Sequence, residues 1–357
     1  MTYLLNFIFV VFYYFLIKKL WTHKWNTIFF VVLGIHIITF RALANPYNYV
    51  DTLSYATAFD SIRTMSFRDI IDKQYIYGDW EVGYVILNWV VGHFTENPQV
   101  LFMVLAVIGI SPVMWFYYKM SYSPLLTIVI YLLYPMFFYM GFGVIRQHIA
   151  VGFILLALYY VDNLKYSLFW WLLAVSFHNS AFVFFPFYFW LYFNKGGKNM
   201  GKSIFLILLI LTIVKLSYVE VLSWFNRYQT LYAGKSQDNN IVPVAFIGSF
   251  VILFWWTKFY KCITDKLDQN LWNFMLYGLT IGFLGIGVYG MGRMTLYFMY
   301  AFPVVITLLA KYQTNKLLIL GYNTIVLIAV IFLLILAYSQ NPYTYSFYWE
   351  KQHYVFK

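Results

Sequence analysis

Residues 317–337 have the sequence LLILGYNTIVLIAVIFLLILA, an apolar run without a charged side chain. A run of this length can span the hydrocarbon core of a bilayer as one α-helix, which needs about 20 apolar residues. Apolar runs recur along the whole chain, and no polar stretch between them is long enough to fold as a separate domain. The sequence therefore predicts a single helical transmembrane domain over residues 1–357, that is, an all-α polytopic integral membrane protein.

The composition agrees with a membrane location. Hydrophobic residues make up 62% of the chain and charged residues only 10%, whereas a soluble domain carries about 25% charged residues. The net charge of +11 is explained by lysines in cytoplasmic loops. No basic run is long enough to form a nucleic-acid footprint, so we exclude nucleic acid as a partner.

Several of the apolar segments are shorter than a full membrane span, which favours broken or re-entrant helices. The candidate segments are 3–17, 26–40, 82–94, 99–118, 124–141, 145–161, 166–177, 180–193, 203–218, 242–259, 271–289, 294–310 and 317–337. Their number predicts about twelve transmembrane helices plus one re-entrant segment.

Lysine placement predicts the orientation, because lysine and arginine collect in cytoplasmic loops. Lys18 and Lys119 both mark cytoplasmic loops, which is possible only if one segment between them does not cross. The short segment 82–94 is expected to enter the membrane and return on the same side. Both chain termini then lie outside, together with the outer loops 41–81 and 219–241.

Two arginines begin apolar helices at the predicted outer face. Arg146 follows Gly-Phe-Gly-Val-Ile at residues 141–145, and Arg293 follows a glycine-rich run at residues 285–292. Guanidinium groups match phosphate oxygens and helix N-termini favour anions, so the pair is a candidate diphosphate site. The alternative for Arg146 is an interfacial arginine whose charged end reaches water.

Three further residues could accept a proton. Asp51 and Glu81 lie in the first outer loop, and His178 lies at the predicted outer tip of a helical hairpin. We interpret all three as candidate catalytic bases, and the residues alone do not choose among them. A structural role among the surrounding aromatic rings is the alternative for His178. The sequence has no metal-binding motif, so we expect no metal and no cofactor.

The ordered set of these residues resembles the EpsG family of Wzy-like polysaccharide polymerases. Each fragment is short, so the specificity comes from their order over almost the whole chain. The resemblance adds Tyr55, Tyr84, Gln147 and Tyr297 as expected substrate-binding residues. The matching fragments are Asp51 with Tyr55, Glu81-Val-Gly-Tyr84, Arg146-Gln147-His-Ile-Ala150, Ala174-Val-Ser-Phe-His178-Asn-Ser180, Gly292-Arg293 with Tyr297, and Asn341-Pro-Tyr343.

The resemblance implies a GT-C-like, metal-independent glycosyltransferase in the bacterial cytoplasmic membrane, with its active site facing outside. Its substrates would be an undecaprenyl-diphosphate-linked oligosaccharide donor and an acceptor of the same kind. A hydroxyl of the acceptor would attack the anomeric carbon of the donor, and polyprenyl diphosphate would leave. Membrane lipid is an expected partner, and a chain-length regulator is a further one.

Three other functions remain open from the sequence. A glycan ligase of the same superfamily would have a similar site and would differ in its acceptor. A polysaccharide flippase or transporter would spread its charges through the membrane depth, whereas here they gather at one face. An O-acyltransferase using His178 would need an acyl donor on the cytoplasmic side, which is incompatible with an outward-facing His178.

Overall fold

Almost every residue that the structure describes is helical. The computed structural model describes residues 2–20, 24–49, 51–72, 80–134, 137–193, 245, 248–251, 259–285, 291–340 and 345–350. Extended pairing within these ranges is limited to one antiparallel bridge, between Ala44 and Phe347. The predicted all-α class is therefore confirmed. The predicted segment 203–218 and the outer loop 219–241 lie outside the described residues.

The helices before residue 194 follow the apolar segments of the sequence, and two more form in the first predicted outer loop. Pro46–Asn48 and Asn179–Phe184 are 3-10 helical turns between them. The α-helices are α1 (Thr2–Leu20), α2 (Trp25–Ala42), α3 (Thr52–Ile62), α4 (Phe67–Ile71), α5 (Val82–Gly92), α6 (Pro98–Met120), α7 (Pro124–Leu133), α8 (Met140–Gly143), α9 (Ile145–Tyr159), α10 (Leu164–Phe177) and α11 (Phe185–Phe193).

After residue 258 the chain forms the 3-10 turn Phe259–Cys262 and four described α-helices. They are α12 (Lys266–Leu284), α13 (Met291–Met299), α14 (Phe302–Tyr312) and α15 (Lys316–Gln340). Four described stretches are long and apolar enough to cross a membrane, judged by length and composition: Trp25–Ala42, Pro98–Met120, Arg293–Tyr312 and Lys316–Ile335. The chain is thus a multi-pass membrane protein, and the total of about twelve crossings stays a prediction.

Prolines interrupt two of the predicted segments. Within 124–141, α7 ends before Tyr134. Tyr134 precedes Pro135, and a proline ring disfavours helical backbone angles at the residue before it. Within 294–310, α13 and α14 are separate because Pro303 lies in the first turn of α14. Proline has no N–H for a hydrogen bond to the preceding turn, and its ring clashes with the carbonyl there.

Helix α6 connects two polar ends of the helical bundle. At its start, Gln99 Nε2 donates to the carbonyl oxygen of Ala42 at 2.6 Å. Just after its end, the Tyr122 hydroxyl donates to Asp268 at 3.2 Å. The helix has 23 residues, which corresponds to a length of about 34 Å. We refer to these as the Gln99 end and the Asp268 end.

Both ends of α5 lie at the Gln99 end. Glu81, directly before α5, bonds to Arg146 at the start of α9, and the chain after α5 leads straight to Gln99. Ile145 and Ala44 line one cavity, so α9 also starts at this end. Helix α5 has 11 residues, or about 16 Å, roughly half of the hydrocarbon thickness. That segment 82–94 enters the membrane and returns on the same side stays a prediction.

A buried carboxylate holds the Asp268 end together. Asp268 accepts hydrogen bonds from Lys311 Nζ at 2.6 Å and from the Tyr312 hydroxyl at 2.8 Å, besides the bond from Tyr122. Its side chain is 1% exposed, and that of Lys311 is 28% exposed. A charge removed from water needs such partners. This cluster therefore joins α12, α14 and the connection from α6 to α7.

Replacing Asp268 by Asn should destabilise the protein, because the Lys311 ammonium loses its carboxylate partner. We expect a loss of about 2–3 kcal/mol, less than for a fully buried pair since Lys311 is partly exposed. Thermal unfolding of the detergent-purified protein measures it. The control is Asp162→Asn, which breaks an exposed pair with Lys266 and should cost less than about 1 kcal/mol. Equal effects of the two variants would contradict the structural role of Asp268.

Candidate functional site

Three elements meet around the carboxylate of Glu81. Its Oε2 accepts a hydrogen bond from Arg146 Nη1 at 2.5 Å. Its Oε1 accepts from His178 Nδ1 at 3.0 Å and from the backbone N–H of Asn179 at 2.9 Å. The side chain of Glu81 is only 5% exposed. Glu81 therefore ties the start of α5 to the start of α9 and to the turn that follows α10.

The environment keeps Glu81 ionised. Burial raises the pKa of this carboxyl, but the hydrogen bond from His178 and the charge of Arg146 outweigh it and lower the pKa to about 2. An ionised carboxylate can only accept hydrogen bonds, so Nδ1 of His178 carries the hydrogen. In the neutral ring, Nε2 of His178 is then the nitrogen with a free lone pair.

Aromatic rings surround the guanidinium of Arg146. Its central carbon lies 4.7 Å from the ring centre of Trp80, 5.7 Å from that of Tyr55 and 5.8 Å from that of Tyr84. Such contacts stabilise a desolvated cation. Tyr55 and Tyr84, which were predicted to bind substrate, are both buried beneath Arg146. Trp80 was not among the predicted site residues, although it directly precedes Glu81.

Gly83 permits the close contact between α5 and α10. A Cβ atom at this position would lie 2.4 Å from Ser176 Oγ and 2.8 Å from the Ser176 carbonyl oxygen. No side chain fits at such distances. The first turn of α5 therefore packs directly on the backbone just before His178, and this contact brings Glu81 within hydrogen-bonding distance of the imidazole.

Two hydrogen bonds attach α13 to the same site. Gln147 Nε2 donates to the backbone carbonyl of Arg293 at 2.6 Å. The hydroxyl groups of Ser180 and Tyr297 lie 2.8 Å apart. These bonds put the starts of α9 and α13 side by side, so Arg146 and Arg293 begin neighbouring helices. The side chain of Arg293 is exposed, whereas Arg146 is mostly buried and already paired.

The first turn of α9 directs three consecutive polar side chains to three different partners. Arg146 reaches the carboxylate, Gln147 reaches α13, and His148 Nδ1 accepts a hydrogen bond from Arg41 Nη1 at 3.2 Å. Successive residues of an α-helix are rotated by about 100°. The sequence analysis did not identify the Arg41–His148 contact, for which the only sequence signal was a charged residue at the end of an apolar segment.

Asp51 lies apart from the hydrogen bonds around Glu81. It precedes α3, its side chain is exposed, and it makes no side-chain hydrogen bond to the first turn of that helix. Its φ angle of 68° is left-handed, a conformation that aspartate tolerates better than most residues. Among the residues that the structure describes, Asp51 thus has no partner that would orient its carboxylate.

Some predicted features fall outside the described residues, namely most of the glycine-rich run before Arg293 and the fragment at 341–343. Within the described ranges, no group of three or more His, Cys, Asp or Glu side chains is arranged to hold a metal ion. The site therefore consists of the Glu81, Arg146 and His178 contacts, the exposed Arg293 beside them, and the aromatic rings around Arg146.

These features define a multi-pass α-helical membrane protein with a buried ionic site at one end of its helices. The model of the EpsG family matches residues 31–349, and the chain belongs to this family. Members of the family are Wzy-like polymerases, so the general role is that of a Wzy-like polysaccharide polymerase. No curated protein and no solved structure matches the chain.

Acid titration tests the ionic site. The pKa of Glu81 is lowered from 4.5 to about 2, so its stabilising contribution is complete above pH 4.5 and is lost as the pH falls towards 2. We expect the wild type to lose about 3 kcal/mol of unfolding free energy through this group over that window.

Glu81→Gln lacks the ionised carboxylate, so the stability difference between wild type and variant should narrow as the pH falls from 5 to 2. Denaturant unfolding in detergent at each pH measures the difference. Glu96→Gln, which removes the exposed partner of Arg63, serves as the control and should follow the wild type. A difference that stays constant with pH would contradict the assignment.

Proposed function

We propose that the protein joins undecaprenyl-diphosphate-linked oligosaccharide repeat units into polysaccharide at the outer face of the bacterial cytoplasmic membrane, by metal-independent glycosyl transfer. Family membership supports the polymerase class. The observation that carries the specific chemistry is the imidazole of His178, which the buried carboxylate of Glu81 orients where α13, the helix with the exposed Arg293, is attached.

The reaction forms one bond and breaks one bond. A hydroxyl oxygen of the acceptor oligosaccharide bonds to the anomeric carbon of the donor. The bond from that carbon to the diphosphate oxygen breaks, and its electron pair leaves with the polyprenyl diphosphate. The hydroxyl proton passes to Nε2 of His178. Because the leaving group is already activated, the protein mainly has to align the substrates and stabilise the charge of the diphosphate.

His178 suits the role of base better than the two carboxylates. Both oxygens of Glu81 already accept hydrogen bonds, and its lowered pKa makes it a weak base at neutral pH. Asp51 lacks an orienting partner in the described part of the chain. In this proposal Glu81 is a positioning residue, because it fixes the ring of His178 and stabilises the imidazolium that forms.

Arg293 and Arg146 stabilise negative charge in different ways. Arg293 is exposed at the start of α13 and is the main contact for the departing diphosphate. Arg146 holds Glu81, and its Nε is buried without a hydrogen-bond partner among the described residues. This remaining donor adds positive potential beside the leaving group. Tyr55, Tyr84, Gln147 and Tyr297 support the site by holding Arg146 and α13, and direct contact with sugar stays a prediction for them.

Substitution of the base should slow polymerisation strongly. His178→Ala is expected to lower the rate by a factor of about 100 to 10,000, the usual effect of removing a general base. Glu81→Gln should also lower the rate, since the imidazole loses the carboxylate that orients it. Polymer formation from purified lipid-linked repeat units measures both.

Asn179→Ala is the matched control, because only the backbone N–H of Asn179 bonds to Glu81. It should retain nearly the wild-type rate. A normal rate for His178→Ala at equal protein level would rule out this base. A normal rate for Glu81→Gln would contradict the positioning role of Glu81.

Arg293→Lys separates glycosyl transfer from transport. An ammonium keeps the charge but lacks the planar fork that bonds two phosphate oxygens. We expect polymer formation to fall by roughly two to three orders of magnitude, as for the loss of one donor to a developing anion. Single lipid-linked repeat units should then accumulate on the outer leaflet.

Glycan chain length and leaflet location are measured together in cells. Lys24→Arg, a cation substitution in a predicted cytoplasmic loop, is the control and should give normal polymer. Repeat units trapped on the cytoplasmic leaflet in Arg293→Lys would instead support a flippase. Full-length polymer from this variant would remove Arg293 from diphosphate binding.

A further inference from the structure

A second buried arginine lies outside the Glu81 site. Arg41 is in the last turn of α2 and is 6% exposed. Its Nη1 donates to His148, and its guanidinium carbon lies 5.8 Å from the ring centre of Phe142. Its Nη2 is buried without a hydrogen-bond partner, and Arg41 forms no ion pair with any residue in the described ranges.

Among the described residues, no carboxylate neutralises this charge. Carbonyl groups at the C-terminal end of α2 offset at most about 2 kcal/mol, whereas a buried charge without a partner costs several kcal/mol. Arg146 differs, because it has Glu81 as its partner. An anion that binds from outside the chain would supply the negative charge and the hydrogen-bond acceptor that Arg41 lacks.

A small cavity lies beside the Arg41 guanidinium. Its volume is about 20 Å³, which is room for one water-sized group. It can therefore take a terminal oxygen of an anion but not a sugar ring. The residues around it include Arg41, Tyr49, Thr52, Phe102, Phe142 and Ile145.

Two glycines let the backbone approach the Arg41–His148 pair. A Cβ at Gly141 would lie 2.5 Å from His148 Cδ2 and 2.9 Å from Arg41 Nη1, and a Cβ at Gly109 would lie 3.3 Å from His148 Nδ1. Because Nδ1 accepts from Arg41, Nε2 of His148 carries the hydrogen. This Nε2 is also buried without a partner in the described structure, so the pair has two unused N–H donors.

We propose that Arg41, supported by His148, is a second anion site that binds a phosphoryl group of the second lipid-linked substrate. The inference rests on the proposed function, in which donor and acceptor both carry a diphosphate and Arg293 contacts only one of them. Guanidinium N–H groups match phosphoryl oxygens in geometry and charge.

The position of the cavity fits a two-substrate reaction. Arg146 and His148 are two residues apart on α9, so their side chains are rotated by about 200° and point to nearly opposite faces. The Glu81 site and the Arg41 cavity thus flank one helix start. Helix α3 also contributes to both, with Thr52 at the cavity and Tyr55 one turn later at the Arg146 guanidinium.

Titration of the detergent-purified protein with farnesyl diphosphate, a short polyprenyl diphosphate, tests the inference. We expect two equivalents to bind to the wild type and one to bind to either Arg41→Gln or Arg293→Gln. At the Arg41 site, the substitution should weaken binding by roughly tenfold to a hundredfold, the effect of losing a charged hydrogen bond. Farnesol, which has no phosphate, should not bind in an Arg41-dependent manner.

The controls separate the possible ligands and roles. Arg63→Gln is the matched variant, since Arg63 already has Glu96 as a partner at 3.0 Å, and it should still bind two equivalents. Two equivalents bound to Arg41→Gln, or equal losses in Arg63→Gln, would overturn the proposal. If inorganic phosphate bound at Arg41 as tightly as farnesyl diphosphate, the proposal that the phosphoryl group belongs to a lipid would be wrong.

Unfolding without ligand distinguishes an anion site from a structural arginine. Gln keeps a donor for His148 and removes an unpaired charge, so the unfolding midpoint of ligand-free Arg41→Gln should rise. A lowered midpoint would contradict the proposal.

Gly141→Ala retains Arg41 but displaces its guanidinium, and it should lose the same binding equivalent. If the protein bound two equivalents of farnesyl diphosphate but made no polymer, the anion site at Arg41 would stand and only the proposed function would be contradicted.

Discussion

A carboxylate that is 5% exposed must be paired, and Glu81 has its cation in Arg146. Neither charge would be tolerated alone in the interior of a membrane protein. Their contact fixes α5 against α9, and the second carboxylate oxygen then fixes the turn after α10 through His178. The orientation of the imidazole follows from this one pair, because the oxygen that receives its N–H cannot move without breaking the bond to Arg146.

The sequence was sufficient for the helical class and for much of the site. The length of the apolar runs predicted the helices, whereas the failure of 82–94 to cross, which lysine placement indicates, stays a prediction. Rules for charged groups in membranes selected Glu81, Arg146 and His178. The sequence could not choose among the bases, because the hydrogen bonds that lower the pKa of Glu81 come from residues 65 and 97 positions away. For the same reason it missed the contact from Arg41, across 107 positions.

Aromatic residues contribute to the polar clusters at both ends of the helical bundle. At both ends of the bundle, their rings lie over cations: Trp80 over Arg146, and Tyr122 over Lys311 at 4.6 Å. A ring face stabilises a cation without supplying a charge that would itself need a partner. Rings can therefore line a site from which water is excluded, and around Arg146 the carboxylate of Glu81 sets the geometry of the described contacts.

The last described residues of the chain return to the start of the first predicted outer loop. The N–H of Tyr348 donates to the Leu43 carbonyl at 3.0 Å, and the N–H of Asn45 donates to the Ser346 carbonyl at 2.8 Å. The Tyr345 ring stacks on Phe40, one residue before Arg41, at a centroid distance of 4.2 Å. A ribosome synthesises these residues after those of α15. During biosynthesis the region around Arg41 therefore stays open until they have been made, and a chain truncated before them lacks the backbone hydrogen bonds that close it.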